Sequence, residues 1–280
     1  MKKLLVLLIA LTLTGVFTYA QDTGLSVGLE FGIEEINKPN DAEDFYPYLM
    51  PMIIYENSFL DDALDVYSEL FFRYDFTKAP EGYDEDSKEV NPMSLYFNLA
   101  LGYNIGLGRT SILSLRLEND NEFQLSPRYD EYNLFNGHLT PGIKFTQGTA
   151  FGDFYGQIDY PFYYRQFEKE ADFTSGLDFT LGWESDFGLG FKIKECNSLQ
   201  PDIEWFYHFD ATLYFETDLF YAEVEANIPR EIEEGGGITI TPWLECYFGN
   251  FTFYIFSSFS NIGTDLDLGI SPGLGVKFSF

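Results

Sequence analysis

The chain has 280 residues, of which 45 are Asp or Glu and only 16 are Lys or Arg, so its formal net charge is −29. Binding to a nucleic-acid backbone depends on clustered basic side chains, so this composition excludes such a function. Aromatic residues, chiefly 30 Phe and 20 Tyr, make up 19% of the chain, which excludes intrinsic disorder. Two cysteines, Cys196 and Cys246, are too few for a disulfide scaffold.

The first 20 residues, MKKLLVLLIALTLTGVFTYA, have the features of a secretory signal peptide. Two lysines precede an apolar run from Leu4 to Leu13, and the small residues Thr18 and Ala20 suit cleavage before Gln21. The run is shorter than the roughly 20 residues that a membrane-spanning helix needs. We therefore expect residues 1–20 to be removed and residues 21–280 to form one exported domain, whose net charge changes from −29 to −31 with the loss of two lysines.

After residue 20 no apolar run is long enough for a membrane helix, and the sequence instead alternates with a period of two. The last strand shows this most clearly, because Leu274, Val276, Phe278 and Phe280 alternate with small or polar residues. About fourteen strands are predicted, or twelve if the fifth and ninth are not independent. Their predicted spans are 23–34, 46–56, 63–76, 93–105, 110–118, 137–147, 151–164, 174–185, 187–194, 203–217, 219–228, 237–248, 250–260 and 266–280.

The predicted connections alternate between tight turns and longer polar loops. Tight turns are predicted near residues 106–109, 147–150, 185–186, 217–218 and 249–250, and longer loops at 35–45, 77–92, 119–136, 165–173, 195–202 and 229–236. Short turns at one end and long loops at the other are typical of an outer-membrane barrel, the only sheet that satisfies every backbone group in lipid. We therefore predict an all-β fold, a single transmembrane antiparallel up-and-down β-barrel.

The final strand resembles the C-terminal signature of Gram-negative outer-membrane β-barrel proteins, the porin-like superfamily. The residues that carry the resemblance are the terminal Phe280 with Phe278, Val276 and Leu274 at alternate positions before it. The resemblance implies that the barrel-assembly machinery recognises this strand and that the protein resides in the cell outer membrane, in contact with its lipid. It does not identify a subfamily.

Prolines within predicted strands argue against regular pairing, because proline lacks the backbone N–H that donates in a sheet. Bulges or irregular pairing are therefore expected where they occur. These prolines are Pro47, Pro51, Pro141, Pro161, Pro242 and Pro272.

The strand face opposite the apolar one carries the candidate lumen residues. They are Glu30, Asp65, Glu69, Arg73, Arg116, Lys144, Asp178, Glu184, Lys192, Glu204, His208, Asp210, Glu223, Glu225 and Glu245. A net negative wall would favour cations, and Arg73 and Lys192 have an alternative role in neutralising neighbouring carboxylates. Bulky aromatic residues on the same face would narrow the lumen, and these are Tyr67, Phe71, Tyr96, Tyr163, Tyr214, Trp243 and Tyr254.

These features predict a passive, porin-like diffusion channel for cations or small neutral hydrophilic solutes. The alternative is a non-conducting surface barrel whose acidic loops bind a partner, in an adhesin or structural role. An enzyme is not expected; Asp210 or Asp159 within hydrogen-bonding reach of His208, in an open cleft, would favour one. No catalytic residue, cofactor or metal is predicted, since the two cysteines and two histidines are expected on scattered elements, with Cys196 in a long loop.

Overall fold

A computed structural model of the chain describes residues 24–36, 44–76, 93–126, 133–167, 170–197, 208–229, 237–264 and 268–280. The predicted signal peptide, residues 1–20, lies outside this part, so its cleavage stays a prediction. None of the described residues belongs to a helix long and apolar enough to cross a membrane.

All the elements of the described chain are β-strand segments. They are β1 (Leu25–Ile36), β2 (Asp44–Phe59), β3 (Leu64–Asp75), β4 (Met93–Gly106), β5 (Ser111–Ser126), β6 (Asn133–Thr149), β7 (Gly152–Asp159), β8 (Phe162–Phe167), β9 (Glu170–Ser175), β10 (Asp178–Glu184), β11 (Leu189–Cys196), β12 (His208–Glu216), β13 (Phe220–Pro229), β14 (Ile238–Phe248), β15 (Phe251–Ile262) and β16 (Gly269–Ser279).

The segments form one antiparallel sheet that closes on itself. Around the barrel each segment pairs with its neighbours, and the first pairs with the last, from Ser26 opposite Ser279 to Gly32 opposite Gly273. Beside this seam the backbone N–H of Phe280 donates to the carbonyl of Leu25 at 3.1 Å. Closure leaves no free sheet edge among the described strands, which is the condition for a β-sheet to span lipid.

The sixteen segments make fourteen barrel strands. Both β7 and β8 pair with β6, and one register runs through both, with Asp159 opposite Gly142 and Phe162 opposite Leu139. The segments β9 and β10 pair with β8 and β7 in a single register in the same way. Each of these pairs is therefore one barrel strand with an interruption. The predicted count of fourteen strands is confirmed, and the alternative of twelve is wrong.

A proline causes the interruption between β7 and β8. The N–H of Tyr160 still donates to the carbonyl of Pro141, and the N–H of Gly176 donates to the carbonyl of Pro161, both at 2.9 Å. Since neither proline can donate in return, half of the local ladder is missing and the strand is broken at Tyr160–Pro161.

Prolines interrupt the ladder elsewhere, as predicted. Pairing of β2 with β3 is lost around Pro51, and pairing of β14 with β15 is lost around Pro242. In contrast, Pro272 of β16 stays in register opposite Ser257 of β15. At Pro51, Pro242 and Pro272 the strand therefore keeps a regular ladder with one neighbour, whereas at Tyr160–Pro161 the pairing is interrupted on both sides.

Two strands extend further than predicted on the long-loop side. The segment β5 ends at Ser126 instead of residue 118, and β6 begins at residue 133 instead of 137. Asn119 and Asn121 disturb the apolar alternation there, but Tyr164 compensates for them. Its hydroxyl donates to Asn121 Oδ1 at 2.6 Å and accepts from Asn119 Nδ2 at 3.0 Å.

The two faces of the barrel differ in polarity. Large apolar side chains cover the outer face and leave much of their surface exposed, as with Leu181 at 67% and Leu213 at 57%. The lumen face is mostly polar or aromatic. An exception is β2, which places Met52 and Ile54 in the lumen, where they form a buried cluster with Tyr254.

Aromatic rings in the lumen lie flat on glycines of the neighbouring strand. A Cβ atom built on Gly275 would be 2.2 Å from Cζ of Tyr254, so only glycine allows this close approach. The pairs of this kind are Gly32 with Tyr48, Gly182 with Tyr155, Gly190 with Tyr214, Gly273 with Phe256 and Gly275 with Tyr254.

We expect Gly275→Ala to destabilise the barrel, because the added methyl group would push the Tyr254 ring off the wall. Overpacking of this kind typically costs about 1–3 kcal/mol. The matched control is Gly108→Ala, since nothing lies within 4 Å of a Cβ at Gly108. Urea unfolding of the barrel in phospholipid vesicles measures both. Equal unfolding midpoints for the two variants would contradict the packing argument.

Candidate functional site

The lumen wall on one side of the barrel encloses a polar cavity of about 220 Å³, here called the basic cavity. Segments β5 to β8, β10 and β11 supply its lining. The lining residues are Arg116, Glu118, His138, Thr140, Lys144, Tyr155, Gln157, Asp159, Pro161, Tyr163, Asp178, Thr180, Lys192 and Lys194. Four Lys or Arg side chains face three carboxylates, so this part of the wall does not have the predicted excess of negative charge.

Local partners hold most of the cations of the basic cavity. Lys194 Nζ lies 3.0 Å from Oδ2 of Asp178, which is only 2% exposed. Arg116 donates to Glu118 and to Gln157. The ammonium group of Lys144 lies 4.0 Å from the centroid of the Tyr155 ring, a cation–π contact. These charges are fixed to the wall and oriented by it.

The two basic residues with a predicted neutralising role differ. Arg73 Nε lies 2.8 Å from Asp75 Oδ1, which confirms that role, and its guanidinium stands 4.4 Å from the centroid of the Tyr48 ring. Among the described residues Lys192 forms no ion pair within 4 Å, so its ammonium group faces the basic cavity without a bound carboxylate.

The opposite side of the lumen carries what we call the aromatic wall, formed by Trp243, Tyr254 and Phe256. The ring of Trp243 stacks on Tyr254 and on Phe256, with centroids 4.8 and 5.0 Å apart. Beside them Glu30, 6% exposed, accepts hydrogen bonds from the hydroxyls of Tyr48 at 2.8 Å and Tyr254 at 2.9 Å. A buried carboxylate bound on both oxygens fixes these rings in place.

Polar contacts extend from the aromatic wall along the barrel. Glu245 accepts from Trp243 Nε1 at 3.0 Å and pairs with Lys277 at 3.1 Å. Near the turn between β2 and β3, Asp65 accepts from Ser58 and from Asn104, each at 2.7 Å.

The short-turn end of the barrel opens into a recess of about 710 Å³, here called the acidic mouth. Among the described residues its lining contains five carboxylates and no Lys or Arg. The lining residues are Asp153, Glu184, Ser185, Asp186, Phe187, Gly188, Glu216, Thr217, Asp218 and Tyr247. A recess lined by charge of one sign attracts counter-ions, which for these carboxylates are cations.

The predicted lumen residues divide among these regions. Arg116, Lys144, Asp178 and Lys192 line the basic cavity, and Glu184 lines the acidic mouth. Glu30 and Glu245 contact the aromatic wall, while Glu69, Glu223 and Glu225 lie on β3 and β13. Glu204 lies outside the described residues.

Several lining residues were absent from the predicted set. Examples are Asp153, Asp186 and Asp218, which lie in or next to tight turns and line the acidic mouth. Their signal in the sequence is an acidic residue at nearly every tight turn of this part of the chain. Strand periodicity does not reveal it, because these positions lie at strand ends.

At the long-loop end the structure brings Cys196, which was expected to lie apart from both histidines, next to His208 and Asp210. Cys196 is the last residue of β11 rather than part of a loop, and it pairs directly with His208, the first residue of β12. Oδ2 of Asp210 lies 3.3 Å from His208 Nε2 and 3.9 Å from Cys196 Sγ. Cys196 and His208 lie on separate strands, but β11 and β12 are neighbours, so the expectations that these residues are scattered and that Cys196 lies in a loop are wrong. We call this trio the rim group.

Asp210 lies within hydrogen-bonding reach of His208, which is the contact that would favour an enzyme. A thiol nucleophile, however, needs a direct hydrogen bond to a base. The Cys196 thiol instead contacts the same carboxylate oxygen as the imidazole does. This geometry suits shared binding of a cation better than activation of the thiol.

We expect Lys194→Met to destabilise the barrel by about 1–3 kcal/mol, because it leaves the buried Asp178 carboxylate without its cation. The control is Lys192→Met on the same strand and face, which removes a cation that has no ion pair in the described chain. Urea unfolding in vesicles gives both values. An equal effect of the two substitutions would show that the Asp178 pair adds no stability.

Comparison with known proteins gives similarity in structure only. No known protein family and no curated protein sequence matches the chain. Its structure is similar to the Pseudomonas putida toluene transporter TodX, at 10% identity and a TM-score of 0.50, over 94% of this chain and 91% of that one. It also matches a triple mutant of the Rhodopseudomonas blastica porin, at 8% identity and a TM-score of 0.43, over 91% and 99% of the two chains.

The likeness to TodX, at 10% identity, bears on the fold alone. Together with the closed antiparallel sheet of fourteen strands, it supports the predicted fold, a porin-like β-barrel of the outer-membrane type.

Proposed function

We propose that this barrel is a passive diffusion channel of the outer membrane that favours cations and small neutral hydrophilic solutes. The observation that carries the proposal is the acidic mouth, where the described part of the chain contributes five carboxylates and no basic residue to the lining. Carboxylates at a channel entrance raise the local concentration of cations and repel anions.

The charges inside the lumen differ from one side of the barrel to the other, so cations and anions would follow different sides. The cations of the basic cavity are held on one side by partners such as Asp178. On β13, Glu223 and Glu225 add acidic side chains to the alternate positions that face the lumen. A cation that enters the mouth therefore follows the β13 side, while the basic cavity, which begins two strands away on β11, gives anions a local site without changing the sign at the entrance.

Neutralising the acidic mouth should weaken the cation preference. We expect the triple variant Glu184→Gln, Asp186→Asn and Glu216→Gln to shift the reversal potential toward zero in planar bilayers with a salt gradient, most strongly at low salt because ions screen exposed charges. The control variant, Asp61→Asn with Asp62→Asn, removes two carboxylates from another turn at the same end of the barrel.

Two results would refute the channel proposal, namely no conductance from the folded wild-type barrel, or a preference for anions. If the control variant shifted the reversal potential as much as the mouth variant, the preference would come from overall charge and not from the mouth.

A second candidate function is a non-conducting barrel whose acidic loops bind a partner. The aromatic wall favours it, because Tyr254 is only 2% exposed and the stacked rings occupy part of the lumen. The acid-rich segment 81–89 lies outside the described residues. If the barrel binds a partner through its loops, deleting segment 81–89 from a barrel that still folds should abolish partner binding. If the barrel is a diffusion channel, the same deletion should leave its conductance unchanged.

The outer-membrane location is tested through the last residue, which the resemblance assigns to recognition by the assembly machinery. We expect Phe280→Ala to lower the amount of folded barrel in outer-membrane fractions while the purified variant still refolds, since its contribution to strand pairing is a backbone N–H. The control is Phe248→Ala, an exposed aromatic at the same end. Equal amounts of the two variants in outer-membrane fractions would contradict the assignment.

Cleavage of the signal peptide is tested separately, by measuring the mass of the mature chain, which we expect to begin at Gln21.

A further inference from the structure

We propose that the rim group, Cys196, His208 and Asp210, binds one divalent transition-metal ion of the Zn²⁺ class. The proposal rests on the positions of these three side chains and does not require that the barrel conducts.

Strand register brings the three ligands together. Cys196 and His208 are directly opposite each other on β11 and β12, and Asp210 is two residues further along β12. Because side chains alternate between the faces of a strand, all three lie on the lumen side. Two ordered strands therefore hold the ligands.

The distances suit a tetrahedral ion. Zinc bonds of about 2.0–2.3 Å place neighbouring ligand atoms about 3.3–3.8 Å apart. Oδ2 of Asp210 lies 3.3 Å from His208 Nε2 and 3.9 Å from Cys196 Sγ, and the three ligand atoms all lie within 4.8 Å of one another.

The donor types select the class of ion. A thiolate, an imidazole and a carboxylate are ligands of Zn²⁺, whereas Ca²⁺ and Mg²⁺ prefer oxygen alone. Three protein ligands leave one coordination position for water or a solute. Binding replaces the Sγ–H bond with a metal–sulfur bond and releases the thiol proton to solvent.

The surroundings orient the site and limit repulsion. Asn227 Nδ2 donates to Oδ1 of Asp210 at 2.7 Å, which leaves Oδ2 directed at the other two ligands. Cys196 is 4% exposed, so its thiol is shielded from bulk water. Lys194 is the nearest cation on the same face of β11; its ammonium group interacts with the Cys196 thiol, and Asp178 partly neutralises it at 3.0 Å.

The chain contains matched controls for each ligand. His138 Nε2 lies 2.7 Å from Asp120 Oδ2, which provides an imidazole–carboxylate pair in the same lumen. Cys246 is the second free cysteine, near the short-turn end of β14. Among the described residues the rim group alone combines three such ligands.

The experiment titrates the refolded, chelator-treated barrel with Co²⁺ and then with Zn²⁺. Co²⁺ bound to a thiolate gives a charge-transfer absorption in the near ultraviolet, which reports sulfur ligation directly. We expect one Co²⁺ per folded wild-type chain, displacement by Zn²⁺, loss of the band in Cys196→Ser, and an unchanged band in Cys246→Ser and His138→Gln. Asn227→Ala should weaken Zn²⁺ binding by about 10–100-fold, the usual effect of removing a residue that orients a ligand.

A second measurement needs no variant and so does not depend on mutant folding. Zn²⁺ should slow the modification of Cys196 by a small methanethiosulfonate reagent and leave Cys246 unaffected in the same molecules. Three results would overturn the proposal: no stoichiometric band in the folded wild type, a band that persists in Cys196→Ser, or equal protection of both cysteines.

Discussion

The pairing of β1 with β16 is the interaction on which the rest of the structure depends. Inside a bilayer no water is present to satisfy a free strand edge, and each unpaired backbone group is costly. Seven residues on each side, from Ser26 opposite Ser279 to Gly32 opposite Gly273, remove the two edges that an open sheet would leave. Closure also explains why proline is tolerated at Tyr160–Pro161, because the neighbouring carbonyls still accept and the register continues on both sides.

Closure forces the interior side chains into a limited cross-section, and the sequence meets this limit with glycine. Where a large ring projects into the lumen, the adjacent strand often supplies a glycine, so the ring lies against the backbone instead of across the lumen. Tyr254 on Gly275 is the clearest example, and the buried Glu30 carboxylate fixes that ring through its hydroxyl. The aromatic wall is therefore a lining of hydrogen-bonded rings, while the basic cavity lies on the other side of the lumen and the acidic mouth at its short-turn end.

Strand periodicity predicted the architecture well, because every spanning strand must present one apolar face to lipid. It failed where that requirement is relaxed. The extensions of β5 and β6 beyond the predicted ends keep their pairing through contacts such as Tyr164 with Asn119 and Asn121, which alternation does not detect. On β2 both faces are apolar, so periodicity could not indicate that Met52 and Ile54 lie in the lumen.

The distribution of charge in the lumen could not be predicted from which face of a strand each residue occupies. Alternation places a side chain inside or outside, but register decides which inward side chains meet, and a slip of one residue would move each of them to the other face. Lys194 meets Asp178, and Cys196 meets His208, only because β11 has a defined register with β10 and with β12. The connection between β11 and β12 carries no turn motif that would fix that register from sequence. The chemistry of this lumen therefore comes from cross-strand pairs and not from local motifs. Counting the inward-facing charged residues predicts the sign of the net charge in the lumen, but it does not predict where the charges lie.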